Sequence, residues 1–335
     1  MSVTVAATSR SGPAVAGAVV VNASQAVAAS AARKTDIETS FPLAHRQLRG
    51  LISAMRPRQW TRTCWFCQHF IAHNFEDGPL LLSTFIAFIA FCLCSSSVYL
   101  VNDLLDLESD RRHSEKCARP FASGRVPLVM GIIALPFLLA MAAGLAWLAS
   151  PLFFAVLVLY FGVTLGYSFY LKRFALLDVL VLAILYTLRI IAGAAVAGAM
   201  PSVWLVSFSM FIFTSLAMAK RYAELKSLET DAGAWASGRG YHVSDISMMA
   251  QLGAASGYIS TLVLALYIDS HDVLAIYHNQ RMMWLLCPLL MYWIGRIWLV
   301  ASRGELHQDP VVFATRDRTS YIVFALGILA VMAAQ

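Results

Sequence analysis

The chain has 335 residues, of which 59% are hydrophobic and 13% charged, and its formal net charge is +6. A soluble domain is about 45–50% apolar and about 25% charged, so an ordinary soluble enzyme, a disordered tail protein and a disulfide scaffold are excluded. A membrane enzyme, a channel and a transporter remain. The basic residues sit beside apolar runs, where the positive-inside bias and anionic lipid account for them, and no nucleic-acid partner is expected.

Residues 1–45 read as a disordered cytosolic arm, rich in Ala, Val, Ser and Thr without helical periodicity. The stretch Ala14 to Val21 lacks a basic lead-in beyond Arg10, so it does not read as a cleaved signal. Residues 46–335 read as one all-α, polytopic membrane domain. Apolar runs fall near 60–75, 79–101, 128–149, 151–171, 175–198, 202–222, 246–268, 281–301 and 319–334, which predicts a bundle of about nine transmembrane helices. The first run is the weakest, interrupted by Arg62, Gln68 and His69. Cys64 and Cys67 form a C-x-x-C with no second pair, and His69 and His73 have no third ligand in view, so neither predicts a metal site.

Loop charge tests the helix count. Arg46, Arg49, Arg56 and Arg58 precede the first run; Arg111, Arg112, Lys116, Arg119 and Arg125 follow the second. Later even loops carry Lys172 and Arg173, then Lys220, Arg221, Lys226 and Arg239, then Arg303, Arg316 and Arg318. The intervening loops carry almost nothing basic. This alternation predicts a multi-pass protein of the inner (plasma) membrane with its N-terminus on the cytoplasmic side and its C-terminus outside.

The string Asn102-Asp103-Leu104-Leu105-Asp106-Leu107-Glu108-Ser109-Asp110 ends the second run at the cytosolic edge. At about 100° per residue, Asn102, Asp103, Asp106 and Asp110 share one helix face while Glu108 and the leucines point elsewhere. Three carboxylates on one face repel unless a cation intervenes, and hard oxygen donors at a wet membrane edge suit Mg²⁺. Arg111, Arg112, His113, Lys116, Arg119 and Arg125 follow at once, suiting a polyanionic substrate. Pro120 and Gly124 can turn this loop back towards the acids.

The pattern N-D-x-x-D-x-x-x-D followed by D-R-x-H-x-x-K-x-x-R-P-x-A-S-G, with the lead-in Arg56-Pro57-Arg58-Gln59-Trp60, resembles the UbiA superfamily of intramembrane prenyltransferases over residues 50–335. That resemblance implies a helical membrane bundle in which Asn102, Asp103, Asp106 and Asp110 bind Mg²⁺ on a diphosphate. Most such proteins carry a second aspartate-rich motif, but here the corresponding place reads Lys220-Arg221-Tyr222-Ala223-Glu224-Leu225. Two cations and one acid favour direct contact with phosphate over a second full metal clamp. This string, with Tyr186 to Gly193, Gly238-Arg239-Gly240-Tyr241 and Arg316-Asp317-Arg318, resembles the decaprenyl-phosphate phosphoribosyltransferase branch. Membership there implies Mg²⁺-dependent transfer of 5-phosphoribosyl from phosphoribosyl diphosphate to a polyprenyl (decaprenyl) phosphate, with release of pyrophosphate and a place in cell-wall arabinan precursor synthesis.

On this reading Asp103, Asp106, Asp110 and Arg189 are the catalytic candidates, and Lys116, Arg119, Tyr170, Lys172, Arg189, Lys220, Arg221 and Glu224 bind substrate. Arg189 lies deep within a predicted span, where a charge is costly and faces a bundle interior or wet cavity, so it is expected to meet a phosphate or a carboxylate. Tyr170 and Lys172 stand at the cytosolic edge, where an interfacial belt also places tyrosines. The alternative is a prenyltransferase moving the chain of a polyprenyl diphosphate to an aromatic or other small acceptor such as 4-hydroxybenzoate, since the first motif serves both. A transporter is disfavoured by the odd helix count and by a charge cluster at one face without broken helices at mid-membrane. Oligomeric state stays open, a homo-oligomer included.

Overall fold

The computed structural model describes residues 18–21, 37–41, 47–57, 60, 78–112, 116–228, 239–270, 273, 279–306, 309–314 and 316–334. The run at 60–75 therefore lies outside the described residues but for Trp60, as do Arg58, Gln59, His69, His73, Cys64, Cys67 and His113. Within the arm expected to be disordered, β1 (Ala18–Val21) pairs in parallel with β2 (Ile37–Phe41). An isolated two-stranded pairing contributes little stability by itself. The remaining described architecture is helical, as expected.

Seven helical segments among the described residues are long and apolar enough to cross a bilayer: Gly78–Leu105, Leu128–Ala149, Pro151–Phe169, Leu177–Val196, Val203–Lys226, Val243–Ile268 and Gln280–Ser302. An eighth apolar helix, Arg318–Ala334, has 17 residues. The described residues thus carry eight of the nine expected runs, seven of them at full spanning length. In chain order the helices are α1 (Gln47–Ala54), α2 (Gly78–Leu105), α3 (Leu107–Arg112), α4 (Leu128–Ala149), α5 (Pro151–Phe169), α6 (Leu177–Val196), α7 (Val203–Lys226), α8 (Ile246–Ile268), α9 (Gln280–Met283), α10 (Leu286–Ser302), α11 (Pro310–Ala314) and α12 (Arg318–Ala334).

The chain divides into two compact units, one of residues 1–60 and 92–142, the other of residues 61–91 and 143–335. In the first, the segment after α1 docks on α2 through polar contacts. Trp60 Nε1 donates to Ser96 Oγ at 3.1 Å, and Ser96 Oγ donates to the Met55 carbonyl at 3.0 Å. Buried Phe121 lies so close to Gly131 on α4 that a Cβ there would come within 2.7 Å of its ring.

In the second unit α7 packs against α6, α8 and α10. Lipid tails are as apolar as leucine, so helices in a membrane gain contact by close approach over small residues. Gly253 and Gly257, one turn apart on α8, provide it. A Cβ at Gly253 would stand 2.2 Å from Trp298 on α10 and 2.9 Å from Met218 on α7, and one at Gly257 would stand 2.6 Å from Ile294 and 2.8 Å from Ser215 Oγ. The N-terminus of α5 is capped by a side chain. Ser150 accepts from the Phe153 N–H ahead of Pro151 and donates to the Ala195 carbonyl, joining α5 to α6.

Asp317 caps α12. Its Oδ2 accepts from Ser320 N at 2.8 Å and from Ser320 Oγ at 2.9 Å, while Arg296 on α10 forks onto both carboxylate oxygens at 2.6 and 2.9 Å. Burial pushes this carboxyl up, but the Ser320 and Arg296 hydrogen bonds outweigh it and hold Asp317 below the usual carboxylate range. The string Arg316-Asp317-Arg318 therefore owes its central acid to helix docking.

Gly253→Ala should lower thermal stability in detergent by about 1–3 kcal/mol through overpacking, whereas Gly162→Ala, with open space at its Cβ, should leave it unchanged or raise it; equal melting temperatures for the two variants would contradict the close approach. Asp317→Asn should cost stability at neutral pH. A depressed folded pKa gives stability that is full above the ordinary carboxylate pKa of about 4 and is lost as pH falls through the folded value. The melting-temperature gap between wild type and Asp317→Asn should therefore close as the pH is taken down from about 5 to about 3.

Candidate functional site

The first cluster lies where α2 passes into α3. The two helices are separated by Asp106 alone, and the backbone ladder continues through it, with Asp106 N bonded to Asn102 O at 2.9 Å and Asp110 N to Asp106 O at 2.8 Å. The helical phase is thus kept across the motif, and Asp103 and Asp110, 2% and 3% exposed, face the same arginine. Arg119 Nη1 stands 2.5 Å from Asp110 Oδ2 and 3.4 Å from Asp103 Oδ1, and Arg56 Nη2 stands 2.5 Å from Asp103 Oδ1. Leu105 and Glu108 are exposed, as the helical projection required.

The loop after α3 returns to the acids by turn chemistry. Val126 N bonds Pro120 O at 3.1 Å, Gly124 takes a φ of +72°, and Ser123 Oγ donates to Arg119 O at 2.7 Å. Arg125 is used within this turn, donating to Ser123 Oγ at 3.0 Å and to the Ala118 carbonyl. Arg56 also has a positive φ, +53°, and its guanidinium lies 5.0 Å from the centre of the Tyr99 ring. Such a backbone is strained for a side-chain-bearing residue, and the Asp103 ion pair and the Tyr99 contact hold it. Asn102 and Asp106 are half-buried and Lys116 is exposed.

Among the described residues no three His, Cys, Asp or Glu side chains come together as a ready metal-holding group. The two buried acids face arginines, which supply the positive charge that a cluster of carboxylates needs. Yet Asp103 Oδ2 is buried with no hydrogen-bond partner. An orphaned carboxylate oxygen amid further carboxylate and amide oxygens fits a hard divalent cation.

The second cluster surrounds Arg221 on α7, 2% exposed. Its Nε donates to Asp178 Oδ2 at 2.7 Å, its Nη1 to both oxygens of Glu224 at 2.8 and 2.7 Å, and its Nη2 to Tyr167 Oη at 3.3 Å. Asp178, in the first turn of α6 and fully buried, also accepts from the Tyr241 hydroxyl. That hydroxyl in turn accepts from Leu176 N at 2.7 Å, securing a leucine whose φ is +63°. Gly240 allows this approach, since a Cβ there would meet the Arg173 carbonyl at 2.8 Å. Burial and the bond to Asp178 raise the Tyr241 phenol well above its usual range and keep it a donor. Glu224 also binds Arg239.

The structure therefore gives Arg221 a different position from the one expected. All three of its nitrogens are engaged by the protein, so it supports Glu224 and Asp178 and does not present itself to a phosphate. Lys220 Nζ bonds Asp309 Oδ2 at 3.0 Å and lines a cavity with Glu224. Tyr170 is exposed and packs edge-on against Phe174 at 5.0 Å, and Lys172 sits on the adjoining 3₁₀ turn Leu171–Arg173.

Arg189 is buried in α6, as a charge at that depth must be, and its contacts include two tyrosines, while its Nε and Nη1 make no hydrogen bond. Its Nη2 donates to Tyr160 Oη at 3.1 Å, and its guanidinium carbon lies 4.6 Å from the Tyr186 ring centre and 5.6 Å from that of Tyr160. Phe91 packs on Tyr160 and Phe213 stacks on Tyr186. Cation–π contact in a desolvated setting stabilises such a charge by about 2 kcal/mol or more. Asp309 and Lys226 were not singled out in the sequence; the Asp-Pro step opening a short helix was the available signal for Asp309.

These features define a polytopic helical membrane protein with an arginine-bound acidic face on one helix and a buried Arg–carboxylate network on another. Residues 63–324 match the UbiA prenyltransferase family, and the chain belongs to that family of membrane transferases. Protein y4nM of Sinorhizobium fredii is 37% identical over 293 residues, 87% of this chain and 57% of that relative, so the chain spans little more than half its length. The nodulation protein NoeC of Azorhizobium caulinodans is 32% identical, covering 83% of this chain and 92% of that one. The decaprenyl-phosphate phosphoribosyltransferase of Mycolicibacterium smegmatis is 30% identical, covering 83% and 90%. A UbiA homologue from Archaeoglobus fulgidus, solved with geranyl diphosphate (GPP) and Mg²⁺, superposes with a TM-score of 0.61 at 14% identity, covering 86% of this chain and 98% of that one.

Arg221→Met should destabilise the protein by about 3–5 kcal/mol, because it leaves the buried Asp178 carboxylate uncompensated. Arg221→Lys should rescue little of this, since one ammonium cannot reach Asp178, Glu224 and Tyr167 together. Tyr241→Phe should cost about 1–3 kcal/mol. Melting temperatures in detergent check the order; an Arg221→Met protein as stable as wild type would refute the support role.

Proposed function

We propose that the protein transfers 5-phosphoribosyl from phosphoribosyl diphosphate to a polyprenyl phosphate at the cytoplasmic face of the plasma membrane, releasing pyrophosphate. The observation that carries this reading is the composition of the second cluster, where Lys220, Arg221 and Glu224 stand in place of an acid triplet. The similarity to a decaprenyl-phosphate phosphoribosyltransferase over most of both chains supports it. Loop-charge alternation supports the cytoplasmic placement.

On this proposal Asn102, Asp103, Asp106 and Asp110 hold Mg²⁺. When bound, the metal neutralises charge on the departing pyrophosphate. Arg119, already between Asp103 and Asp110, and exposed Lys116 attract the diphosphate and fix its orientation. Lys220 supplies a further cation for phosphate. The acceptor phosphate is ionised at neutral pH, so one of its oxygens attacks the anomeric carbon without a protein base. The bond to the diphosphate oxygen breaks as the new bond forms, through an oxocarbenium-like state. Catalysis then comes from positioning and fixed charge, supplied here by residues on helix ends. Arg189 ties α5 to α6 through Tyr160 and Tyr186, and its two nitrogens without a hydrogen bond leave donors for a phosphate.

Membranes carrying the protein should move label from phosphoribosyl diphosphate into a polyprenyl phosphate lipid, and chelation of divalent metal should stop the transfer. Asp103→Asn and Asp106→Asn should each lower the rate by at least about a hundredfold with the protein still folded. Transfer from a prenyl diphosphate to 4-hydroxybenzoate, with none from phosphoribosyl diphosphate, would overturn the proposal in favour of aromatic prenylation.

A further inference from the structure

At the end of α7 lies a cavity of about 450 Å³ lined by Lys220, Glu224, Lys226, Ser227 and Asp309. Its far wall comes from the turn that ends α10. Gly304, at φ +75°, lets Gly304 N bond Ala301 O at 3.0 Å and Glu305 N bond Val300 O at 3.1 Å, which closes the helix and directs the chain towards Asp309. The volume falls in the range of small-molecule sites.

The lining has an unusual balance. Two ammonium groups can donate and two carboxylates can accept, while the Ser227 hydroxyl is spent on the Glu224 carbonyl at 2.7 Å. The carboxylates are not free to swing away. Glu224 is held by Arg221 through both oxygens and by Arg239, and Asp309 is held by Lys220. A bare phosphate would meet the lysines but also the repulsion of two fixed carboxylates. A prenyl phosphate brings no donor for those carboxylates, and its hydrocarbon chain would take a charged lining out of water without adding a polar contact. A phosphorylated sugar matches both halves, with hydroxyls donating to Glu224 and Asp309 and a phosphate facing Lys220 and Lys226.

We infer that this cavity is a pentose-phosphate subsite, with Glu224 and Asp309 reading sugar hydroxyls and Lys226 adding to Lys220 at the phosphate. This rests on the proposed function, and it makes Glu224, fixed by the buried Arg221, a specificity residue for a hydroxylated donor.

The test is direct binding to the full-length protein in nanodiscs, without acceptor lipid, using ribose 5-phosphate, inorganic phosphate and geranyl phosphate as probes. Ribose 5-phosphate should bind at least about tenfold more tightly than either of the others. Lys226→Met should weaken that binding about tenfold, and Lys226→Arg should restore it. Asp309→Asn should reduce the preference for ribose 5-phosphate over inorganic phosphate. Undetectable ribose 5-phosphate binding, equal binding of inorganic phosphate, tighter binding of geranyl phosphate, or an unaffected Lys226→Met would each overturn the subsite. Phosphoribosyl transfer without ribose 5-phosphate binding would remove the subsite alone; binding without transfer would remove the proposed function alone.

Discussion

A guanidinium buried to 2% exposure needs partners on each of its nitrogens, and the second unit is arranged so that Arg221 has them. Asp178 comes from α6, Glu224 from α7 itself and Tyr167 from α5, so one side chain ties three helices at one level. Charges taken out of water are stabilising only when paired and hydrogen-bonded in full. The demand spreads outward from there. Asp178 needs Tyr241, Tyr241 needs the Leu176 N–H and a glycine at 240, and the Leu176 N–H comes from a residue with a φ of +63°. A strained turn and a string of small and aromatic residues follow from one buried cation.

The two clusters differ in how firmly their charges are held. Around Arg221 each nitrogen is engaged, and the network is a support that keeps Glu224 in one place at the cavity. Around Asp103 and Asp110 the acids are buried but the arginines are not. Arg56 and Arg119 keep side-chain exposures of 25% and 29%, and one oxygen of Asp103 has no partner. Ion pairs with one exposed member are weak and exchangeable, which suits groups that must accept a cation or give way to a polyanion. The contrast separates a cluster that can exchange its partners from one that fixes geometry.

Much of this was legible in the residues. Apolar runs predicted the helices, and the offsets of Asp103 and Asp110 predicted one helix face, because both depend only on periodicity along a single helix. Pro120 and Gly124 marked the turn that returns Arg119 to those acids. Residue type was a weaker guide for the arginines. Arg221 looked like a group awaiting a phosphate and Arg189 like one awaiting a phosphate or a carboxylate, since an arginine in an apolar run advertises a need for partners without naming them. The partners found include Tyr160 and Tyr186 for one, and Asp178, Glu224 and Tyr167 for the other; Tyr186 and Glu224 lie three residues away on the same helix, and Tyr160, Asp178 and Tyr167 lie on different helices.

By itself the sequence determined that the chain lives in lipid, which helices it forms there, which loops carry positive charge and where its acidic face falls, all of them consequences of composition and local period. The tertiary structure decided which scarce charges are spent inside the protein and which face a cavity. Coulombic and hydrogen-bond partners in a low-dielectric interior are chosen by helix packing, and close packing here turns on features such as Gly253 and Gly257, whose meaning appears only when Trp298, Met218 and Ile294 are set against them.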